Sequence, residues 1–353
     1  MKTKLFILLL VSGWIASPGA QACTTFLMKD AKNNLYYGRN FDFPVGEGLI
    51  QINERNMVKQ AMVLPSDKPF SWVSLYGSIT FNQVGREFPY GGMNEAGLVV
   101  EQMWLDGTRY PEEDERFALN ELQWVQYQLD RAATLQQVID SDTLLRISDR
   151  PFAYLHFLVT DAQGNSAVIE FLDGTMVVHR GEELPVAVLT NSTYETSLRY
   201  RADLKNGEVR HYEEMEHNSS GRFSKAADRL DKYEGQADPV AYAFATLDSV
   251  AQGEHTRWSI VYDVNNRVIS YKTGANPLIQ TIAMDDFNFS CGDRHLSRSI
   301  VATASGVEGF LPLTPEINMH SFTIMKEKLA FLKDLPEEEM KTIASWYRSV
   351  QCN

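Results

Sequence analysis

Cys23 follows Ala20-Gln21-Ala22, and upstream stand Lys2, Lys4 and an apolar run from Leu5 to Val11. A charged start, a short apolar run and an Ala-x-Ala site read as a secretory signal peptide over residues 1–22. The run is too short for a permanent membrane anchor. Cleavage after Ala22 leaves a chain of residues 23–353 with Cys23 first. Its α-amine, with a pKa of about 7.7–8, would then sit beside its own thiol and could take the thiol proton. While the leader is attached, that nitrogen is an amide and accepts no proton, so export and activation would be one event. Two other readings stand beside this one. The cysteine could simply lie near the cut, or it could carry a lipid. A lipoprotein site wants a Leu-like residue three before the cysteine and small residues between, which Ala20 and Gln21 match poorly.

An N-terminal thiol needs neighbours. Thr24 to Met28 and Leu35 to Asp42 are β-rich runs around a turn-prone Lys32-Asn33-Asn34, which is a hairpin signal. Such a hairpin folds Arg39 and Asp42 back towards Cys23. An arginine there eases thiol ionisation, and a carboxylate can hold the amine. Spacing alone describes a surface ion pair equally well.

Further motifs follow in order. They are Cys23-Thr24-Thr25, then Gly38-Arg39-Asn40-Phe41-Asp42, Gly92-Met93-Asn94-Glu95-Ala96-Gly97-Leu98, Leu189-Thr190-Asn191-Ser192, Ser220-Gly221-Arg222-Phe223 and Thr256-Arg257-Trp258-Ser259. In this order the chain resembles the choloylglycine hydrolase family. That family contains bile salt hydrolases and penicillin V acylases, thiol hydrolases of linear amides with an N-terminal nucleophile. The resemblance implies an α+β fold, the αββα sandwich of the N-terminal nucleophile (Ntn) hydrolases, with two stacked antiparallel sheets between helical layers. It implies Cys23 as nucleophile, Arg39 and Asp42 poising thiol and amine, Asn191 aiming its amide at an oxyanion, and Arg222 supporting Asp42 or the intermediate. Trp104 stands where Gram-positive bile salt hydrolases place an oxyanion-hole Asn, which is similar to the Gram-negative branch. There its face would shape an acyl pocket, favouring penicillin V or N-acyl homoserine lactones over bile salts. The segment between Asn191 and Arg222 is shorter than in Gram-positive members, where an extension helps hold a tetramer; a homotetramer remains compatible with the resemblance.

The rest of the chain must carry these residues. Ser71 to Met103 reads as strands, Glu113 to Ala133 as a helix, and Thr134 to Gln137 as a capping box. Phe152 to Val178 reads as three strands, and Arg222 to Tyr233 and Pro239 to Val250 as helices. Arg257 to Lys272 reads as a hairpin around Asn265-Asn266, and Leu313 to Asn353 as mainly helical, broken at Pro336. With 46 acidic against 33 basic residues the precursor carries −13, and losing Lys2 and Lys4 takes this to about −15. That argues against a nucleic-acid partner. If Cys23 stays free, Cys291 and Cys352 are the remaining pair for a disulfide in an oxidising compartment, unless Cys352 is frayed and unpaired. No cysteine or histidine spacing suggests a metal, and a papain-like Cys–His site finds no supporting motif. The expectation is a cofactor-free amidohydrolase with a small N-acyl amide substrate, no membrane anchor, and a periplasmic or secreted location.

Overall fold

The computed structural model describes residues 23–208, 210–235, 238–292 and 295–353; the expected signal peptide lies outside them. Its organising unit is the hairpin of Thr24–Lys29 and Leu35–Asp42, with Thr24 opposite Asn40 and Thr25 opposite Arg39. The Asp30 side chain closes the turn by accepting from the backbone N–H of Lys32 and Asn34, each at 2.8 Å. Register is also fixed at Gly38, because the Phe26 ring lies where a Cβ at that position would project.

This hairpin enters a six-stranded antiparallel sheet. In spatial order its strands are Val188–Leu189, Thr24–Lys29, Leu35–Asp42, Thr256–Asp263, Val268–Thr273 and Gln280–Ala283. A nine-stranded antiparallel sheet stacks against it. Its central strands are Leu155–Thr160, Val99–Trp104, Pro89–Asn94, Ser78–Asn82 and Leu49–Asn53. Aromatic side chains fill the layer between: Phe81 of the larger sheet meets Trp258, Tyr262 and Tyr271 of the smaller at ring distances of 6.5, 6.3 and 6.4 Å. The buried Tyr37 hydroxyl donates across the same layer to the Leu158 carbonyl at 2.9 Å. Helices Glu214–Asp231 and Pro239–Ser249 pack on the six-stranded sheet, and helix Glu121–Arg131 packs on the nine-stranded one. The architecture is the α+β, αββα sandwich.

Most element expectations hold, with three corrections. The helix expected from Glu113 begins at Glu121, where the Asn120 side chain accepts from the N–H of Leu122 and Gln123. Phe117–Leu119 is instead a strand parallel to Leu145–Ile147. Apolar residues at 117 and 119 satisfy a period of two as well as a helical one, and the cap decides where the helix can start. The helix carrying Arg222 starts earlier than expected, at Glu214. The C-terminal segment is helical over Pro315–Lys328 and Glu337–Ser345 but ends as a strand, Gln351–Cys352, paired with Met57–Gln60. Cys352 is disulfide-bonded to Cys291, with the Cα atoms 5.8 Å apart, so the terminus is tied down rather than frayed. No helix among the described residues is long and apolar enough to cross a membrane.

Candidate active site

Antiparallel pairing brings the first chemistry together. Cys23 precedes its strand, so Arg39 and Asp42 on the neighbouring strand flank it. The thiol is buried, at 5% exposure, and Arg39 Nη2 stands 4.0 Å from Sγ. Burial pushes the thiol pKa up. Arg39 pulls it back, the Asp42 charge pushes it up again, and the Asp42 backbone N–H and the Arg222 charge lower it. Without the guanidinium groups a thiolate here would be isolated in a low-dielectric interior.

Asp42 owes its placement to a bulge. The register between Leu35–Asp42 and Thr256–Asp263 shifts between Thr256 and Trp258, which turns the Thr256 hydroxyl onto Asp42 Oδ1. Thr256 is itself held by the Gln252 N–H at 2.7 Å. Asp42 Oδ2 is buried without a hydrogen-bond partner among the described residues. Burial raises this carboxyl to about 6, against the Thr256 hydrogen bond and the charges of Arg222, Arg39 and His255.

The helix face of Asn218, Ser219 and Arg222 supplies the opposite wall. Residues three and four apart share a face, so all three turn towards the sheet edge. Arg222 Nη1 donates to the Cys23 carbonyl at 2.5 Å and to the Thr24 hydroxyl at 2.7 Å; Nη2 donates to Asn191 Oδ1 at 3.0 Å, and Nε to Asn218 Oδ1 at 3.1 Å. Burial lowers this arginine to about 10, against the Asp42 and Cys23 charges. An arginine only donates, so it fixes which end of the Asn191 amide is oxygen. The amide nitrogen therefore faces the other way and donates to the Trp104 carbonyl at 2.9 Å, leaving one further N–H on that nitrogen. Asn191 is anchored through its own backbone N–H to Ser219 Oγ at 2.9 Å.

All six expected residues thus converge, with two refinements. Arg222 bonds the Cys23 carbonyl and Asn191 and acts on Asp42 through charge only. Trp104 reaches Asn191 by its backbone carbonyl, while its half-buried ring meets Tyr154 edge-on, with centroids 5.9 Å apart at 88°. Five residues went unassigned in the sequence reading. Ser219 anchors Asn191, where the matched motif begins one residue later. Thr256 lies inside a matched motif and holds Asp42. Glu101 forms a buried ion pair with Arg39, and the Tyr262 hydroxyl donates to the same carboxylate. His156 is fully buried, with Nδ1 3.1 Å from Glu170 and Nε2 2.7 Å from the carbonyl of Thr190, so it braces the residue before Asn191. Glu101 and His156 each gave a sequence signal, a polar side chain inside an apolar strand, and Thr256 gave one by its place in a matched motif. Among the described residues, no group of three or more His, Cys, Asp or Glu side chains could hold a metal ion.

A family model described as linear amide C–N hydrolases, choloylglycine hydrolase family, matches residues 23–237. The chain belongs to the choloylglycine hydrolase family. A penicillin V acylase of Pectobacterium atrosepticum is 27% identical over 221 residues, which cover 57% of this chain and 58% of that relative's length. The structure of a penicillin V acylase from Agrobacterium tumefaciens superposes with a TM-score of 0.69 at 25% identity, covering 83% of this chain and 98% of that one. A variant of the conjugated bile acid hydrolase from Clostridium perfringens gives 0.64 at 16% identity, covering 80% and 98%. That last likeness concerns the fold alone.

Proposed function

We propose that this member is an exported thiol amidohydrolase that cleaves linear amides of N-acyl compounds, with penicillin V and N-acyl homoserine lactones as the substrate class. The observation that carries the reading is the convergence of Arg39, Asp42, Asn191 and Arg222 on one buried cysteine at the expected cut. Signal peptidase cleavage between Ala22 and Cys23 would free the α-amine in the periplasm or beyond. The partnerless Asp42 Oδ2 is the acceptor that amine would meet. The amine takes the thiol proton as sulfur attacks the acyl carbon. The second N–H of the Asn191 amide, with a backbone N–H, faces the oxyanion. The C–N bond breaks as the leaving amine collects the proton. Water then attacks the thioester, returning the acid and the thiol.

The acyl preference rests on Trp104, whose ring and that of Tyr154 form an aromatic wall beside Asn191. Flat phenoxyacetyl groups and long acyl chains suit such a wall. Competitive hydrolysis of penicillin V against a glycine-conjugated bile acid tests this, and preference for the bile acid would overturn it. Intact mass and N-terminal sequencing of exported protein test the mechanism. The expected product begins at unmodified Cys23; a lipid on the Cys23 sulfur would remove the nucleophile and make the chain an anchored binding protein. Extending the exported chain by one residue before Cys23 should abolish turnover while leaving the fold intact.

A further inference from the structure

Glu101 sits at the middle of the nine-stranded sheet with 1% of its surface exposed. Its side chain points into the layer between the sheets, where an isolated carboxylate would cost several kcal/mol. One oxygen receives Arg39 Nη1, and the other receives the Tyr262 hydroxyl. The sheet is shaped to admit it. Glu101 pairs with Gly91 on the adjacent strand, and a Cβ on Gly91 would overlap the carboxylate. The neighbouring Tyr90 carbonyl takes a second bond from Arg39 Nη1 at 3.3 Å. Arg39 is thereby gripped from behind, and Nη2 is the end left towards Cys23 Sγ, at 4.0 Å.

Charge around the thiol can then be counted. Arg39 and Arg222 are positive, and Asp42 and Glu101 are acidic. His255 adds charge near Asp42, while Tyr37, Tyr90 and Tyr262 are phenols held neutral by burial. With both carboxylates ionised the two arginines and the two carboxylates balance before the cysteine ionises, apart from any charge on His255. Neutralising Glu101 leaves a net positive charge facing sulfur.

We propose that Glu101 is a positioning residue of this site, a buried counter-charge that clamps Arg39 and offsets its pull on the Cys23 thiol. This rests on the reading of Cys23 as the reactive thiol. Glu101 keeps the sulfur protonated until the α-amine can take the proton during attack. Gly91 and Tyr262 complete the device, one by leaving space and the other by sharing the carboxylate's charge.

The test is the pH dependence of Cys23 alkylation by iodoacetamide in exported protein; the other two cysteines are disulfide-bonded and silent. Glu101→Gln keeps the shape and the acceptor for Tyr262. It should move the apparent thiol pKa down by roughly one unit. Tyr262→Phe leaves the carboxylate less compensated and should shift the same curve upward by less, so it remains informative if Glu101→Gln folds poorly. A folded Glu101→Gln protein whose curve stays in place or moves up overturns the proposal, as does a downward shift in Tyr262→Phe. Alkylation needs no amide substrate. A wild-type protein that alkylates at Cys23 but turns over no acyl amide would sink the functional reading and leave this one standing.

Discussion

Lys59, Arg86, Glu54, Glu87 and Asp130 form one buried group of charges, and Cys23, Arg39, Asp42, Glu101 and Arg222 form another. In the first, every cation touches a carboxylate. Lys59 Nζ lies 2.9 Å from Glu87 and 3.1 Å from Asp130, and Arg86 lies 2.5 Å from Glu54. Neutral donors finish the job, with the Trp72 indole N–H on Asp130 at 2.8 Å and the Gln126 amide on it at 2.9 Å. In the second, the Asp42 carboxylate keeps an oxygen without a partner, and the nearest guanidinium stands 4.0 Å from the sulfur. Both groups bear the desolvation of burial. Both groups also hold buried polar atoms without a hydrogen-bond partner, Arg86 Nε and Nη1 and both Glu87 oxygens in the first, Arg39 Nε and Asp42 Oδ2 in the second. What separates them is pairing of charge: each charge of the first lies within ion-pair distance of an opposite one, whereas Arg222 and Asp42 of the second touch no opposite charge among the described residues, which is the state a reaction can use.

The comparison can be broken in order of expected effect. Cys23→Ala should lose at least about 10⁴-fold in turnover with its melting temperature nearly unchanged, and Cys23→Ser should be almost as inactive. Activity surviving in the Ala variant moves the nucleophile elsewhere. Lys59→Met should do the reverse. It strands Asp130 without a cation and leaves Glu87 only Arg86, 3.4 Å away, so denaturant unfolding should report a loss of about 3–5 kcal/mol, with kcat per folded molecule retained. Asn191→Ala should lower kcat about 10²–10³-fold with a smaller change in KM. A pure KM effect would make Asn191 a binding residue only.

One carboxyl from each group, Asp42 and Glu54, should also answer pH in opposite senses. Burial raises Asp42 in the folded chain to about 6. Its contribution is therefore fully present below the unfolded carboxyl range and is lost as pH rises through about 6, on the order of 3 kcal/mol. Burial alone would raise Glu54, but Arg86 beside it, with His295, brings it to about 2. Its contribution is present above the unfolded range and is lost as pH falls towards 2. Stability curves for the N-terminally extended protein, in which Cys23 carries an amide nitrogen, should flatten between pH 4 and 6 in Asp42→Asn and below pH 4.5 in Glu54→Gln. The same flattening in both variants would show that the two groups are not distinct.

Much of this site was legible from order and type alone. The hairpin around Asn33 folds Arg39 and Asp42 back towards Cys23, while their spacing alone fits a surface ion pair equally well and the matched motif supplies their roles. Asn191 and Arg222 were legible only through matched motifs, since nothing local distinguishes a turn asparagine or a helical arginine from a surface one. Ser219 was missed because the matched motif starts one residue later, and Thr256 because a bulge cannot be read from periodicity. Glu113 to Glu121 was misread because alternating apolar residues fit strand and helix alike until Asn120 caps one of them.

The sequence by itself determined most of the strand pattern and the motif order, because these depend on neighbours a few residues apart. Tertiary structure decided what the reactive groups face. It gave Asn191 its amide orientation through Arg222, 31 positions later, and left Asp42 one partner short. It also set Glu101 against Arg39 across the gap between two sheets. Each is a long-range contact between elements that share no local pattern, and burial there fixes how much every charge counts.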